Sequence, residues 1–284
     1  MPIDIAWLQQ EFPTLQNLQV LGRGGQKEVF SALHSSDGHV VLKLINPQQE
    51  TESVRREILA VAKVQSPRVP RILDQGQLDT KFGTFIWLRE QRILGDSLRH
   101  VLGTGLLSPQ EVIRLGVQML EALSQAETVQ IVHRDVKPEN IMRDGHGNYW
   151  LLDFGIARHL TLPSVTPTAA PFGKFTLGYA SPEQCRNLKP DIDSRADLFA
   201  LGVTLYECST GINPFLIPPP ANDLEKLRRV ETLPIPPLVI GISGPELMRD
   251  FIQAVTQKRR DLRPRTAQAA LGWMREIEAH QRTA

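Results

Sequence analysis

Asp135, Lys137 and Asn140 stand together in the stretch Ile131-Val132-His133-Arg134-Asp135-Val136-Lys137-Pro138-Glu139-Asn140, and Asp153-Phe154-Gly155 follows a short way downstream. The two stretches supply a carboxylate, an amine, a carboxamide and a second carboxylate. That inventory can hold a metal-bound polyphosphate and accept the proton of a hydroxyl. The carboxamide and carboxylate oxygens are hard ligands of the kind that suit Mg²⁺. Each residue alone is ordinary in a solvated loop, and the signal lies in their joint occurrence.

Upstream, Gly22-Arg23-Gly24-Gly25-Gln26-Lys27 joins two predicted strands, 18–21 and 28–33. Glycines there let a hairpin backbone approach phosphates and turn its amides toward them. The predicted third strand, 39–45, is an apolar run interrupted by Lys43. A buried lysine is costly unless paired, so Lys43 should meet a carboxylate or a phosphate. A predicted helix over 52–63 offers Glu57, while Glu52 suits a solvated first turn favoured by the helix dipole.

The elements that must position these groups can be read in outline. Residues 1–17 form a short helix and linker whose Trp7, Leu8, Phe12 and Leu15 suit an apolar face. Further strands are expected at 71–75 and 84–89. Ser108-Pro109-Gln110-Glu111 starts a helix with a serine cap, an early proline and a glutamate three residues on. It should run to Ala126 and bury Val112, Leu115, Met119 and Leu123. Residues 156–174 are rich in hydroxyls and prolines, and a long irregular stretch in a compact domain is usually functional. Two helices are expected over 244–280, with Arg263 in the turn between them.

Composition narrows the class. With 284 residues, 41% of them hydrophobic, the chain can bury an ordinary core. Its formal net charge of +1 gives no global field toward nucleic acid or anionic lipid, so no nucleic-acid partner is expected. Cys185 and Cys208 are the two cysteines and suggest neither a disulfide framework nor a zinc cluster. The first residues lack the pattern of a secretion signal, and no apolar run reaches the length of about eighteen residues that a membrane span needs. A cytoplasmic location is expected.

His133-Arg134-Asp135-x-Lys137-Pro138-Glu139-Asn140 followed by Asp153-Phe154-Gly155 resembles the catalytic loop and metal-binding turn of eukaryotic-like (Hanks-type) serine/threonine protein kinases, in particular bacterial ones. The resemblance runs from about Leu18 to Ile277. It implies an α+β, bilobal protein-kinase fold: a small antiparallel β-sheet lobe with one helix over 18–90 and a larger, mainly helical lobe over 91–284, after an extension at 1–17. It implies transfer of the ATP γ-phosphate to Ser/Thr hydroxyls of protein substrates, with Mg²⁺ as cofactor.

Carried over residue by residue, Asp135 accepts and orients the substrate hydroxyl and Lys137 neutralises the transferring group. Asn140 and Asp153 hold magnesium, and Lys43 holds phosphates and pairs with Glu57. Gly22, Gly24, Gly25, Lys27, Val29, Val41 and Met142 complete the ATP site. Lys27 replaces the loop's third glycine, and Val41 stands where alanine is usual. Arg134 would pair with a phosphate on Thr166 or Thr168, and Thr176 would hydrogen-bond the catalytic loop. Dimerisation during such autophosphorylation is a further expectation.

Asp197 matches the anchor of the catalytic loop, Glu183 should pair with Arg263, and His133 should pack on Phe154. Glu207 lies where some family members read basic substrate residues, a structural role being the alternative. The rival to an active kinase is a pseudokinase or nucleotide-binding scaffold, which Lys27, Val41 and Phe175 (in place of a glycine) would favour.

Overall fold

A computed structural model of the chain describes residues 3–24, 27–46, 55, 58–80, 83–154, 176–186, 192–238 and 245–283. The chain divides into two compact units, one from 1–63, 70–94 and 156–162, the other from 64–69, 95–155 and 163–284.

The first unit is built on five antiparallel strands, β1 (Leu15–Arg23), β2 (Lys27–His34), β3 (Gly38–Ile45), β4 (Ile72–Thr80) and β5 (Gly83–Gln91), in the order β1-β2-β3-β5-β4. Successive side chains alternate between faces, and the sequence uses that alternation. Phe30, Ala32, Val40, Leu42 and Leu44 cluster with Ile3, Leu8, Leu15 and Leu18 in one apolar core. Helix α1 (Ile5–Glu11), capped by the Asp4 carboxylate, contributes Leu8 to it. Phe12 meets Trp87 edge to face, with ring centroids 5.2 Å apart. The apolar face expected of the first residues is therefore the cover of the sheet, and β1 begins at Leu15, inside the stretch read as an extension.

Val29 and Lys43 are register partners, as are Lys43 and Leu88, and Val41 and Glu90. These residues occupy the face opposite the core. The helix expected over 52–63 is described at 55 and 58–61, with Ile58 and Val61 buried.

The second unit is mainly helical. Helix α2 (Leu98–Thr104) leads into α3 (Pro109–Thr128), whose capping box is formed by Ser108 and Glu111 as the sequence predicts. Val112, Leu115, Met119 and Leu123 are all buried. After the short helix α4 (Pro182–Cys185), α5 (Ser194–Thr210) is apolar nearly all round and buried from Ala196 to Cys208, the mark of a central helix. Asp193 caps its start, and Gly211, at φ 78°, ends it. Helices α6 (Asp223–Thr232), α7 (Pro245–Val255) and α8 (Ala267–Thr283) follow, with Arg263 between the last two.

A three-stranded sheet of β6 (Gly95–Ser97), β7 (Ile141–Asp144) and β8 (Tyr149–Leu151) also belongs to this unit. The sequence reading did not anticipate it, because strands of three or four residues are too short to display alternation. Gly95 opens β6 because at φ 155° a side chain there would drive its Cβ to 2.0 Å from the Arg143 carbonyl oxygen. Both cysteines are buried thiols, and burial raises the pKa of each, Cys185 to about 12. Among the described residues no helix is long and apolar enough to cross a membrane.

Candidate active site

Residues 131–137 take no regular structure before the 3₁₀ turn Pro138–Asn140, so something must hold the segment. Asp197, in the first turn of α5, does so. Its Oδ2 accepts from the His133 amide and its Oδ1 from the Arg134 amide, both at 2.7 Å. Arg134 sits at φ 66°, a left-handed conformation that needs such outside support. His133 is fully buried; its Nδ1 accepts from the Asp135 amide at 3.2 Å, which leaves Nε2 to donate to the Leu152 carbonyl at 2.7 Å. Its ring packs on Phe154, with centroids 4.7 Å apart. Its contacts position the loop.

With the backbone held, four side chains converge. Asn140 donates through Nδ2 to the Asp135 carbonyl at 2.8 Å and to Asp135 Oδ2 at 2.9 Å. Lys137 Nζ lies 3.1 Å from the same Oδ2 and donates to Thr176 Oγ1 at 2.6 Å. The Thr176 hydroxyl in turn donates to Asp135 Oδ1 at 3.0 Å. Both carboxylate oxygens of Asp135 are thus oriented. Such a carboxylate is preorganised to receive a hydroxyl group in one direction.

The Leu152 amide donates to the Asn140 carbonyl at 2.8 Å, which ties the chain entering Asp153 to the catalytic loop. Asp153 itself adopts φ 56°. Because Asn140 commits Nδ2 to Asp135, the atom it offers a cation is Oδ1, and Asp153 follows Leu152, whose backbone is bonded to Asn140. An amide oxygen and a carboxylate are a donor set that fits Mg²⁺. Met142 lies on β7, opposite Ser97 and Trp150.

The turn from Thr176 to α4 is fixed at both ends. Gln184 donates to the Arg134 carbonyl at 3.0 Å. Glu183 and Arg263 form a two-pronged pair, Nη1 to Oε1 at 2.6 Å and Nη2 to Oε2 at 2.9 Å, in which the arginine side chain has no exposure. Arg263 also donates to the Gln257, Arg195 and Lys258 carbonyls. The pairing expected from the sequence is present.

In the first unit, Gly22 lies in β1 opposite Val29, and the Gly24 amide closes the hairpin by donating to the Lys27 carbonyl at 2.8 Å. A methyl side chain at Gly22 would meet nothing within 4 Å. Lys43 is buried and meets a carboxylate, that of Glu90. Gly25, Glu57, Gly155, Thr166, Thr168 and Phe175 lie outside the described residues.

A family profile described as the protein kinase domain matches residues 15–273. The chain belongs to the protein kinase domain family. It is 37% identical over 224 residues to the serine/threonine-protein kinase PknD of Mycobacterium tuberculosis, covering 76% of this chain and 32% of that protein. It is 35% identical over 226 residues to the serine/threonine-protein kinase PknB of Mycobacterium leprae, covering 77% and 35%. A probable serine/threonine-protein kinase of Clostridium perfringens is 29% identical over 268 residues, covering 92% and 38%. The chain thus spans about a third of the length of these bacterial relatives.

Within this kinase domain two residues were missed by sequence reasoning. Glu90 shares with Val41 and Lys43 the face opposite the core, a placement visible only once the β3–β5 register is known. Arg99, next to the cap of α2, looks like any surface arginine in the sequence, yet it bonds Glu139, Tyr179 and Glu207.

The anchor of the kinase loop carries a pH signature. Burial pushes the Asp197 carboxyl up to about 7, against the two amide bonds that favour its anion. An exposed aspartate protonates near pH ~4, so between there and about 7 the folded chain binds a proton that the unfolded chain has released. That contribution to stability is complete below the lower value and is lost as pH rises through the upper one. The anion, however, is the form that accepts from both loop amides. Activity is therefore expected to rise with pH through an apparent pKa near 7 while this stability component falls. A kcat profile that is flat from about pH 6 to 8 would contradict the assignment.

Proposed function

We propose that this kinase domain transfers the γ-phosphoryl group of ATP to Ser/Thr hydroxyls of proteins. The observation that carries the reading is the mutual bonding of Asp135, Lys137, Asn140 and Thr176. Asp135 receives the substrate hydroxyl between its fixed oxygens, orients it in line and takes its proton. Lys137 is held within reach of the same carboxylate and neutralises charge on the group in transfer. Thr176 bridges the two, accepting from Lys137 and donating to Asp135. Lys43, Gly22, Gly24, Gly25, Lys27, Val29, Val41 and Met142 bind the nucleotide. Asn140 and Asp153 hold Mg²⁺, which when bound screens the phosphate charge and orients the phosphates.

A scaffold that only bound nucleotide would gain nothing from orienting Asp135 so closely. The full-length activity, its location and its partners follow the same reading: a protein substrate met inside the cell, and autophosphorylation at Thr166 or Thr168, with Arg134 as the partner of the added phosphate and Glu57 as a second carboxylate for Lys43.

The test is phosphoamino-acid analysis of a generic protein substrate after incubation with MgATP. Phosphoserine and phosphothreonine are expected; ATP binding with no transfer to any protein would overturn the proposal.

Glu90 makes a separate prediction. Its carboxylate holds the Lys43 amine that a phosphate would otherwise meet, so nucleotide binding must displace or share that contact. Glu90→Gln is expected to tighten MgATP binding by roughly tenfold, the size of one charge-assisted hydrogen bond no longer given up. Calorimetric titration checks it, and weaker binding would mean that Glu90 instead holds Lys43 in its productive position.

A further inference from the structure

The tip of the hairpin between β1 and β2 is held by a residue from outside the hairpin. In β1 every residue from Gln19 to Arg23 is exposed, and the ladder to β2 shifts register between Val20 and Gly22. A strand end with no buried side chain and an interrupted ladder has little of its own to fix its position. Yet the turn it leads into, closed by the bond from the Gly24 amide to the Lys27 carbonyl, is the part whose backbone would meet phosphates.

Ile3 supplies the hold. Its side chain is buried in the core of the sheet with Leu8, Leu15 and Phe30, and Asp4, the next residue, caps α1. Both main-chain groups of Ile3 reach the last register pair of the hairpin, Arg23 and Glu28. The Ile3 amide donates to Glu28 Oε1 at 3.0 Å and Oε2 at 3.4 Å, and Arg23 Nη2 donates to the Ile3 carbonyl at 3.2 Å. The two side chains also pair with each other, Nε to Oε2 at 3.0 Å. Residue 3 lies ahead of the stretch shared with the kinase family. Alternation along β2 puts Glu28 on the face of Phe30, in the core, and Val29 on the opposite face with Lys43. The Glu28 carboxylate therefore acts on a bound phosphate only through the backbone it fixes.

We propose that Glu28 and Arg23 are positioning residues for the nucleotide: through the main chain of Ile3 they clamp the hairpin tip to the segment ahead of α1, and the clamp strengthens the hold on the phosphates of MgATP. The proposal rests on the nucleotide-binding part of the function above. Loosening the clamp leaves Asp135, Lys137 and the metal ligands in place, so it weakens binding and spares the chemical step.

The experiment is calorimetric titration of the full chain with MgATP, beside steady-state kinetics on a generic protein substrate. Glu28→Ala is expected to raise both Kd and KM for MgATP by roughly fivefold, the size of one net hydrogen bond. Its kcat at saturating MgATP should stay within about twofold of wild type, the pattern of lost binding with intact chemistry. Glu28→Gln keeps an oxygen for the Ile3 amide and loses an ion pair whose arginine is 41% exposed, so its Kd should stay within about twofold of wild type. Arg23→Ala removes the bond to the Ile3 carbonyl from that exposed position and is expected to raise Kd by roughly threefold, so it carries the test if Glu28→Ala does not fold. An unchanged Kd in the alanine variants would overturn the proposal, as would a fall in kcat at unchanged Kd, or an equal loss of affinity in Glu28→Gln and Glu28→Ala. Wild type that binds MgATP and transfers no phosphate would overturn the kinase reading alone, the titrations still deciding the clamp; wild type that binds no MgATP would overturn both.

Discussion

Asp135→Asn is expected to lower kcat by about 10³-fold, within the range by which a positioned general base accelerates reactions. The substitution keeps shape and leaves one oxygen to accept from the Thr176 hydroxyl, which now stands 3.0 Å from Oδ1. It removes the negative charge that pairs with Lys137 at 3.1 Å and the group that takes the proton. Because Asp197 holds the backbone of the loop, the unfolding midpoint should move little. MgATP affinity should also persist, because the nucleotide-binding residues are untouched. A kcat loss smaller than about tenfold would mean that proton acceptance contributes little and that Lys137 and the metal ligands supply most of the rate.

The largest expected effect on stability lies at Arg263→Ala. The Glu183–Arg263 pair is almost wholly shielded from water, with side-chain exposures of 7% and 0%. Whether such a pair stabilises a fold relative to an apolar replacement is a separate matter, but breaking it leaves a buried carboxylate uncompensated. Arg263 additionally satisfies three backbone carbonyls, and its guanidinium lies 5.0 Å from the Phe199 ring centroid. The expected loss is about 3–5 kcal/mol, read from denaturant midpoints. Arg263→Met with Glu183→Leu should recover much of it, because no lone charge then remains. If the double variant is as unstable as the single one, the carbonyl contacts of Arg263 outweigh the ion pair. Because Gln184, next to Glu183, bonds the Arg134 carbonyl, the same loss should also loosen the catalytic loop.

How much of this was legible in the sequence follows from which interactions are local. The Ser108 cap and the apolar runs of α3 and β3 were readable because periodicity and capping act within a few residues. The catalytic loop was readable because so many identities are fixed in one short stretch. The order β1-β2-β3-β5-β4 was not, nor the pairing of Lys43 with Glu90, since both depend on register between segments far apart in sequence. The sheet of β6, β7 and β8 escaped because its strands are too short to show a period. Arg99 escaped for another reason: its three partners come from the catalytic loop, the turn after Thr176 and α5, and no spacing rule relates those segments. The sequence leaves Glu207 two roles, reading basic substrate residues or structural, and the structure shows it engaged by Arg99 and Tyr179.

The measurement that tests the central claim most directly is intact-mass and phosphosite analysis after incubation with MgATP and a generic substrate, wild type beside Asp135→Asn. Wild type alone is expected to add phosphoryl groups, to the substrate and to its own Thr166 or Thr168. Equal phosphorylation by the two proteins, or none by either while both bind ATP, would contradict the claim that the oriented Asp135 carboxylate is the centre of phosphotransfer.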